Sequence, residues 1–145
     1  IGGSSIVAFN AYHKFLRTPI DVIAHPDYDV QLKQAVRLDH TDVAVVISHS
    51  RRNKHTLLIA QKLSENHVKI IAITSFPDSP LAKLADLVLL SLAEEVNFRS
   101  ESMSSLIAQI TIIDTLFTLV GSQLSEDTQS VVDTMRDTIE ETRAQ

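Results

Sequence analysis

Four short polar side chains crowd the stretch VVISHSRRNKHT: Ser48, Ser50, Asn53 and Thr56, with His49 between the two serines. Hydroxyls and an amide at this spacing can place several donors around one anion. The stretch sits where an apolar, β-branched run gives way to a helical pattern, so the first turn of that helix adds unpaired N–H groups and the positive end of its dipole. A second turn of the same kind, Gly2-Gly3-Ser4-Ser5, opens the chain. Its glycines permit close backbone approach, and Ser4 is expected to face the same crevice. The plain alternative is that these hydroxyls are N-caps and nothing more. Neither turn is a Walker loop, G-x-x-x-x-G-K-[ST], or a dinucleotide fingerprint, G-x-G-x-x-G, so nucleotide phosphates are not the expected anion. Arg51, Arg52 and Lys54 lie at the same corner. Arg52 and Lys54 read as solvated charges at a helix start, whereas Arg51 is either a direct ligand or an obstruction at the mouth. His49 either orients the loop and touches the ligand or packs beneath it.

These residues need a scaffold that brings two strand-to-helix corners together. The runs at 21–25 (DVIAH), 42–48 (DVAVVIS), 69–74 (KIIAIT) and 86–91 (DLVLLS) have the composition of strands covered on both faces, and a further strand is expected to end at Ile1. Helical patterns alternate with them: through about Leu16, near 29–38, near 54–66, and a short turn after Pro80 capped by Asp78 or Ser79. Such alternation predicts an α/β fold with a parallel sheet and helices on its faces, and in open sheets of this kind ligands bind beyond the carboxyl ends of the strands. From Met103 to Val120 the sequence is apolar on most sides, so that helix needs cover on more than one face. A last helix from Ser125 carries a narrow stripe, Val131, Val132, Met135 and Ile139, suited to packing on another helix within the monomer or across a subunit interface.

The chain of 145 residues is long enough for one domain with its own core. Its net charge of -5 opposes nucleic-acid binding by this part of the protein. With no cysteine there is no disulfide framework, zinc ribbon or thiol nucleophile, which fits the cytoplasm. The apolar runs, VLLSLA among them, are read as too short for a bilayer, which takes about 20 residues, and no signal peptide opens the chain. His13, His25, His40, His49, His55 and His67 show no metal-site spacing, so neither a metal nor another cofactor is expected. Ile1 reads as the end of a strand already under way, and the chain as a fragment.

The order G-G-S-S, I-S-H-S-R-R-N-K-H-T, V-K-I-I-A-I-T, P-L-A-K-L-A-D-L-V-L and E-E-V-N-F-R-S-E-S-M-S-S-L-I-A-Q-I-T-I-I-D-T-L-F resembles the sugar isomerase (SIS) domain, in the form found in RpiR/MurR-type transcriptional regulators. The resemblance covers nearly all of residues 1–145. It implies a three-layer α/β/α sandwich around a five-stranded parallel flavodoxin-like sheet, a homodimer or higher homo-oligomer, a sugar-phosphate pocket at the strand ends, and a helix-turn-helix domain upstream that contacts DNA. It also implies phosphate contacts from Ser4, Ser48 and Ser50. Two positions depart from the family's S-x-S-G-x-T pattern: Asn53 stands in place of Thr and Arg51 in place of Gly. An amide can still donate through its NH2 group, but a side chain at Arg51 is expected to bring strain or to occupy the pocket mouth.

Isomerisation of a sugar phosphate requires a base near the substrate carbon. Residues 48–56 contain no acid, and His55 stands where many SIS enzymes have one. Glu94, Glu95 and Glu101 remain as carboxylates, Glu101 with Arg99 in a segment that the resemblance carries into the ligand site, often across the dimer. The expected function is therefore an effector-sensing module, with aldose-ketose isomerisation as the alternative.

Overall fold

The computed structural model describes residues 2–92 and 101–144, with side chains in the second segment from Ser104 onward. Glu94, Glu95 and Arg99 lie outside the described residues, and Glu101 is placed only as the first residue of a helix. In chain order the elements are α1 (Gly3–Phe15), α2 (Tyr28–Ala35), β1 (Val43–Ser48), α3 (Lys54–Glu65), β2 (Lys69–Thr74), α4 (Pro80–Leu84), β3 (Leu87–Leu90), α5 (Glu101–Gln123) and α6 (Ser125–Arg143).

Strands β1, β2 and β3 are parallel and adjacent in that order, with Val43 opposite Lys69 and Ile71 opposite Leu87. Side chains alternate across the sheet as the pleat requires. Val46, Ile70 and Ala72 pack with Ala35, Ala60, Leu63 and Leu81 of α2, α3 and α4. Ile47, Ile73 and Leu89 face the other way, onto Val7 of α1 and Ile113 of α5. Each fully buried Ile or Val contributes about 1.5–3 kcal/mol relative to exposure, so both helical layers are held chiefly by this apolar burial. Helices α1 and α5 are further joined by a Lys14–Asp114 ion pair and an edge-on Phe15–Phe117 contact.

Residues 21–25 do not form a strand, and the described sheet has three strands where five were expected. The composition of 21–25 is that of a strand, but a strand exists only when its N–H and C=O groups meet a neighbour. Among the described residues none pairs with 21–25 or with the outer edge of β1. Helix boundaries otherwise fall within a few residues of the sequence reading, and Ser79 rather than Asp78 caps α4 by accepting from Ala82 N.

The expectation that no segment is long enough for a bilayer is corrected by α5. Ser104–Gln123 has the length and mean hydropathy, 1.5, to cross one. In the fold this helix lies against α1 and the sheet, where Ile113 is fully buried and Ser105 and Gln109 are turned inward.

Two local devices fix the corners. At the end of α3, His67 adopts φ 59°, and Val68 N donates to Leu63 O while His67 N donates to Ser64 O, closing the helix with a Schellman motif. At the start of β3, Asp86 accepts from Lys69 Nζ and from Ile70 N. The Lys69 ammonium and that backbone donor hold the Asp86 carboxyl below the usual carboxylate range.

Candidate functional site

The loop after β1 and the start of α1 meet at the carboxyl end of the sheet, enclosing a cavity of about 180 Å³. Its wall is formed by Gly3 and Ser4 from α1, by Ser48, His49, Ser50, Asn53 and Thr56 from the β1–α3 corner, and by Ser105 and Gln109 from α5. Among the described lining residues there is no Lys, Arg, Asp or Glu, so from these an anion meets neutral donors and helix ends. A broader concavity along α6 is one open helix face bearing Glu126, Asp133 and Asp137, a poor host for an anion.

Each corner is built by its local sequence. Gly2 takes φ 66° and ψ -146°, a region that side chains disfavour, and so turns the chain into α1. No side chain caps that helix. The backbone donors of Gly3 and Ser4 therefore remain at the cavity, whereas Ser5 N is satisfied by Gly2 O.

At α3 the cap is Asn53. Its Oδ1 accepts from His55 N at 3.1 Å and Thr56 N at 3.2 Å. The helix-start donors expected to reach an anion are thus partly committed to this cap. The same geometry leaves the Asn53 NH2 group as the donor toward the cavity. Ser50 Oγ accepts from Arg52 N, which leaves its proton available. Ser48 is buried and donates to Ser50 O at 3.2 Å, an internal bond that an incoming anion would have to replace.

Arg51 neither blocks the mouth nor strains the loop. Among the described non-glycine residues only His67 has positive φ, so the backbone at 51 is not left-handed. The guanidinium lies 4.4 Å from the centre of the Phe76 ring. This cation–π contact parks the side chain beside the site, outside the residues that line it. Arg52 and Lys54 are exposed, as solvated helix-start charges are.

Behind the cavity runs a polar chain absent from the sequence reading. His49 Nδ1 lies 3.0 Å from Ser75 Oγ, Ser75 Oγ donates to Ser91 O at 2.9 Å and lies 3.2 Å from Ser91 Oγ, and Gln109 Nε2 donates to Ser91 Oγ at 3.4 Å. It ties the ends of all three described strands to α5. The signal for Ser105 and Gln109 was present in the sequence: two polar residues four apart, on the same helix face as Ile113.

Comparison with known proteins adds the ancestry. The family model described as the SIS domain matches residues 1–119. An uncharacterized HTH-type transcriptional regulator of Caldanaerobacter subterraneus is 40% identical over 127 residues, covering 88% of this chain and 45% of its own length. The HTH-type transcriptional regulator RpiR of Escherichia coli K12 is 35% identical over 120 residues, covering 83% of this chain and 40% of its own. The chain therefore spans less than half the length of these relatives. Among solved structures, the Vibrio vulnificus NanR protein complexed with ManNAc-6P superposes with a TM-score of 0.85 at 21% identity, over 97% of this chain and 53% of that one. The sugar isomerase domain of an RpiR transcription factor from Sphaerobacter thermophilus gives 0.78 at 22% identity, over 94% and 74%. These two likenesses bear on the fold. The family match together with the two regulator sequences places the chain in the SIS domain family, in the form carried by RpiR-type HTH transcriptional regulators.

Proposed function

We propose that the chain is the sugar-phosphate-sensing effector domain of an RpiR-type, DNA-binding regulator. The carrying observation is the hydroxyl-lined cavity, uncharged among its described lining residues, at which an uncapped helix start, Gly3 and Ser4, faces the Ser48–Asn53 loop. Ser4, Ser48, Ser50 and Asn53 hold the phosphoryl group, and His49 borders it. Arg51, released from Phe76, supplies a positive charge. Glu101, which begins α5 above Ser105, approaches the sugar. Support for the ligand class comes from NanR, a structural neighbour solved with ManNAc-6P.

The alternative, aldose–ketose isomerisation, lacks a placed base: the described lining residues include no carboxylate, and the His49 Nδ1 is occupied by Ser75. Sensing needs only different affinity for two states. In this reading residues 1–145 are a single SIS domain working in the cytoplasm, and DNA is contacted by a separate helix-turn-helix domain. A homodimer or higher homo-oligomer covers the apolar side chains of α5 and α6, among which Ile107 is 63% and Ile139 51% exposed.

The test is calorimetry with a panel of hexose and amino-sugar 6-phosphates. At least one is expected to bind, and Ser48→Ala should weaken it by about 1–3 kcal/mol, the worth of a hydrogen bond to a charged group. Absence of binding across the panel, or equal affinity in the variant, would contradict the assignment.

A further inference from the structure

The phosphoryl assignment uses the α1 and β1–α3 walls of the cavity and leaves the α5 wall without a role. Gln109 on that wall is 2% exposed, one of the largest fully buried side chains of the described residues and the only carboxamide among them. Its orientation follows from counting protons along the chain behind it. Ser75 gives its single proton to Ser91 O, so the Ser91 hydroxyl donates to Ser75 Oγ and His49 Nδ1–H donates to the same atom. Ser91 Oγ is then the acceptor for Gln109 Nε2. The other end of the carboxamide, Oε1, has no hydrogen-bond partner among the described residues and is not among the polar atoms sealed from solvent without one. A residue buried on every side but the cavity therefore presents an acceptor to the cavity. Buried acceptors of this kind are costly to leave unmet, which is what makes them selective.

The volume fits a second group beside the phosphoryl. At about 30 Å³ for each water-sized group, 180 Å³ holds roughly six. A phosphoryl group with its four oxygens occupies about four of these places, and about two remain for hydroxyl-sized neighbours.

We infer that Gln109 is a specificity residue: its Oε1 accepts a hydrogen bond from a ligand hydroxyl close to the phosphoester, so that the site selects phosphorylated polyols and sugars over phosphate esters without that hydroxyl. This rests on the phosphate-binding reading above. The acceptor is held in place by Ser91, and through Ser75 it shares a frame with His49, so the hydroxyl reader and the phosphate loop keep a fixed separation.

The minimal ligand pair is glycerol 3-phosphate and n-propyl phosphate, equal in chain length and different in hydroxyls, titrated by NMR with inorganic phosphate alongside. The protein should bind glycerol 3-phosphate about tenfold more tightly than propyl phosphate, the scale of one well-made hydrogen bond. Gln109→Met, close in volume and without the acceptor, should erase that ratio and leave propyl phosphate affinity within about twofold. A purely structural role for Gln109 would weaken both esters equally, and that result, or an unchanged ratio in the variant, overturns the inference. The ligand pair on the unaltered protein is a test even if the variant folds poorly: equal affinity for the two esters also overturns it. Failure of the protein to bind any of the three phosphates would instead remove the phosphate reading itself, and this inference with it.

Discussion

Replacing Asn53 by Asp separates the two roles that the geometry assigns to one side chain. Oδ1 caps α3 through His55 N and Thr56 N, and an Asp keeps that oxygen in place. It also sets a negative charge at a helix start, worth about 0.3–1 kcal/mol, so stability is expected to hold or rise slightly. Ligand binding should move the other way. The NH2 donor to the phosphoryl group is lost, about 1.5–3 kcal/mol for a bond to a charged acceptor. A carboxylate then faces the phosphate: at about 4 Å and an effective dielectric of about 20 the repulsion is ~4 kcal/mol per charge pair, and the half-exposed setting reduces it to about 1–2 kcal/mol. The sum, about 2.5–5 kcal/mol, corresponds to at least about a 60-fold loss of affinity. Asn53→Ala gives the contrasting pattern, with no added charge but no cap, at a stability cost of about 0.5–2 kcal/mol. Affinity should therefore rank Asn above Ala above Asp, and stability Asp at or above Asn, with Ala last. Calorimetric titration with a hexose 6-phosphate and thermal melts on the same samples read both orders. An Asp variant that binds within about threefold of the unaltered protein would refute the placement of this amide at the phosphate, because the repulsion alone is worth about tenfold.

Three further outcomes follow from the described contacts. Arg51→Gly removes the Phe76 stack and a cation beside the site while relieving no backbone strain, so sugar-phosphate affinity should fall and become less salt-sensitive; a rise in affinity on titration would restore the view of Arg51 as an obstruction. His67→Gly should raise stability by up to about 1 kcal/mol in denaturant unfolding, because the left-handed position at the end of α3 disfavours a side chain; a loss would mean that the imidazole makes a contact that matters more than strain. Asp86→Asn should lower the melting temperature fully at pH 6, where Asp86 is ionised in both folded and unfolded chains. Because its folded pKa is lowered, chiefly by the Lys69 bond, its contribution should shrink as pH falls below the ordinary carboxylate value of about 4 and vanish beneath the depressed folded one. A melting difference between the two proteins that does not vary from pH 6 to pH 3 would contradict this.

The sequence made the β1 and β2 strands legible because they are unbroken β-branched runs, although Val43 and Val45 of β1 are left exposed, and the corner at 48–56 because hydroxyls and an amide follow such a run directly. Residues 21–25 misled for a physical reason: strand composition records burial, while a strand requires a hydrogen-bonded neighbour, and no described residue supplies one. The behaviour of Arg51 was also hidden, since its stacking depends on Phe76, 25 positions away in the chain and brought close only by the parallel pairing of β1 with β2. Gln109 was overlooked because the apolar weight of α5 dominated its reading. A polar pair at i and i+4 on a core helix is the more informative feature. The cap role of Asn53 needed coordinates as well, because the same residue type serves as donor to a ligand or acceptor for a helix, and here its two ends are divided between the tasks.

The claim beneath this account is that two hydroxyl-bearing helix starts close on one phosphoryl group. Amide NMR during titration with a hexose 6-phosphate tests it most directly. The resonances of Gly3 and Ser4 should shift together with those of Ser48, His49, Ser50 and Asn53, along a single saturation curve. Shifts confined to one of the two corners, or found instead along the α6 face, would contradict it.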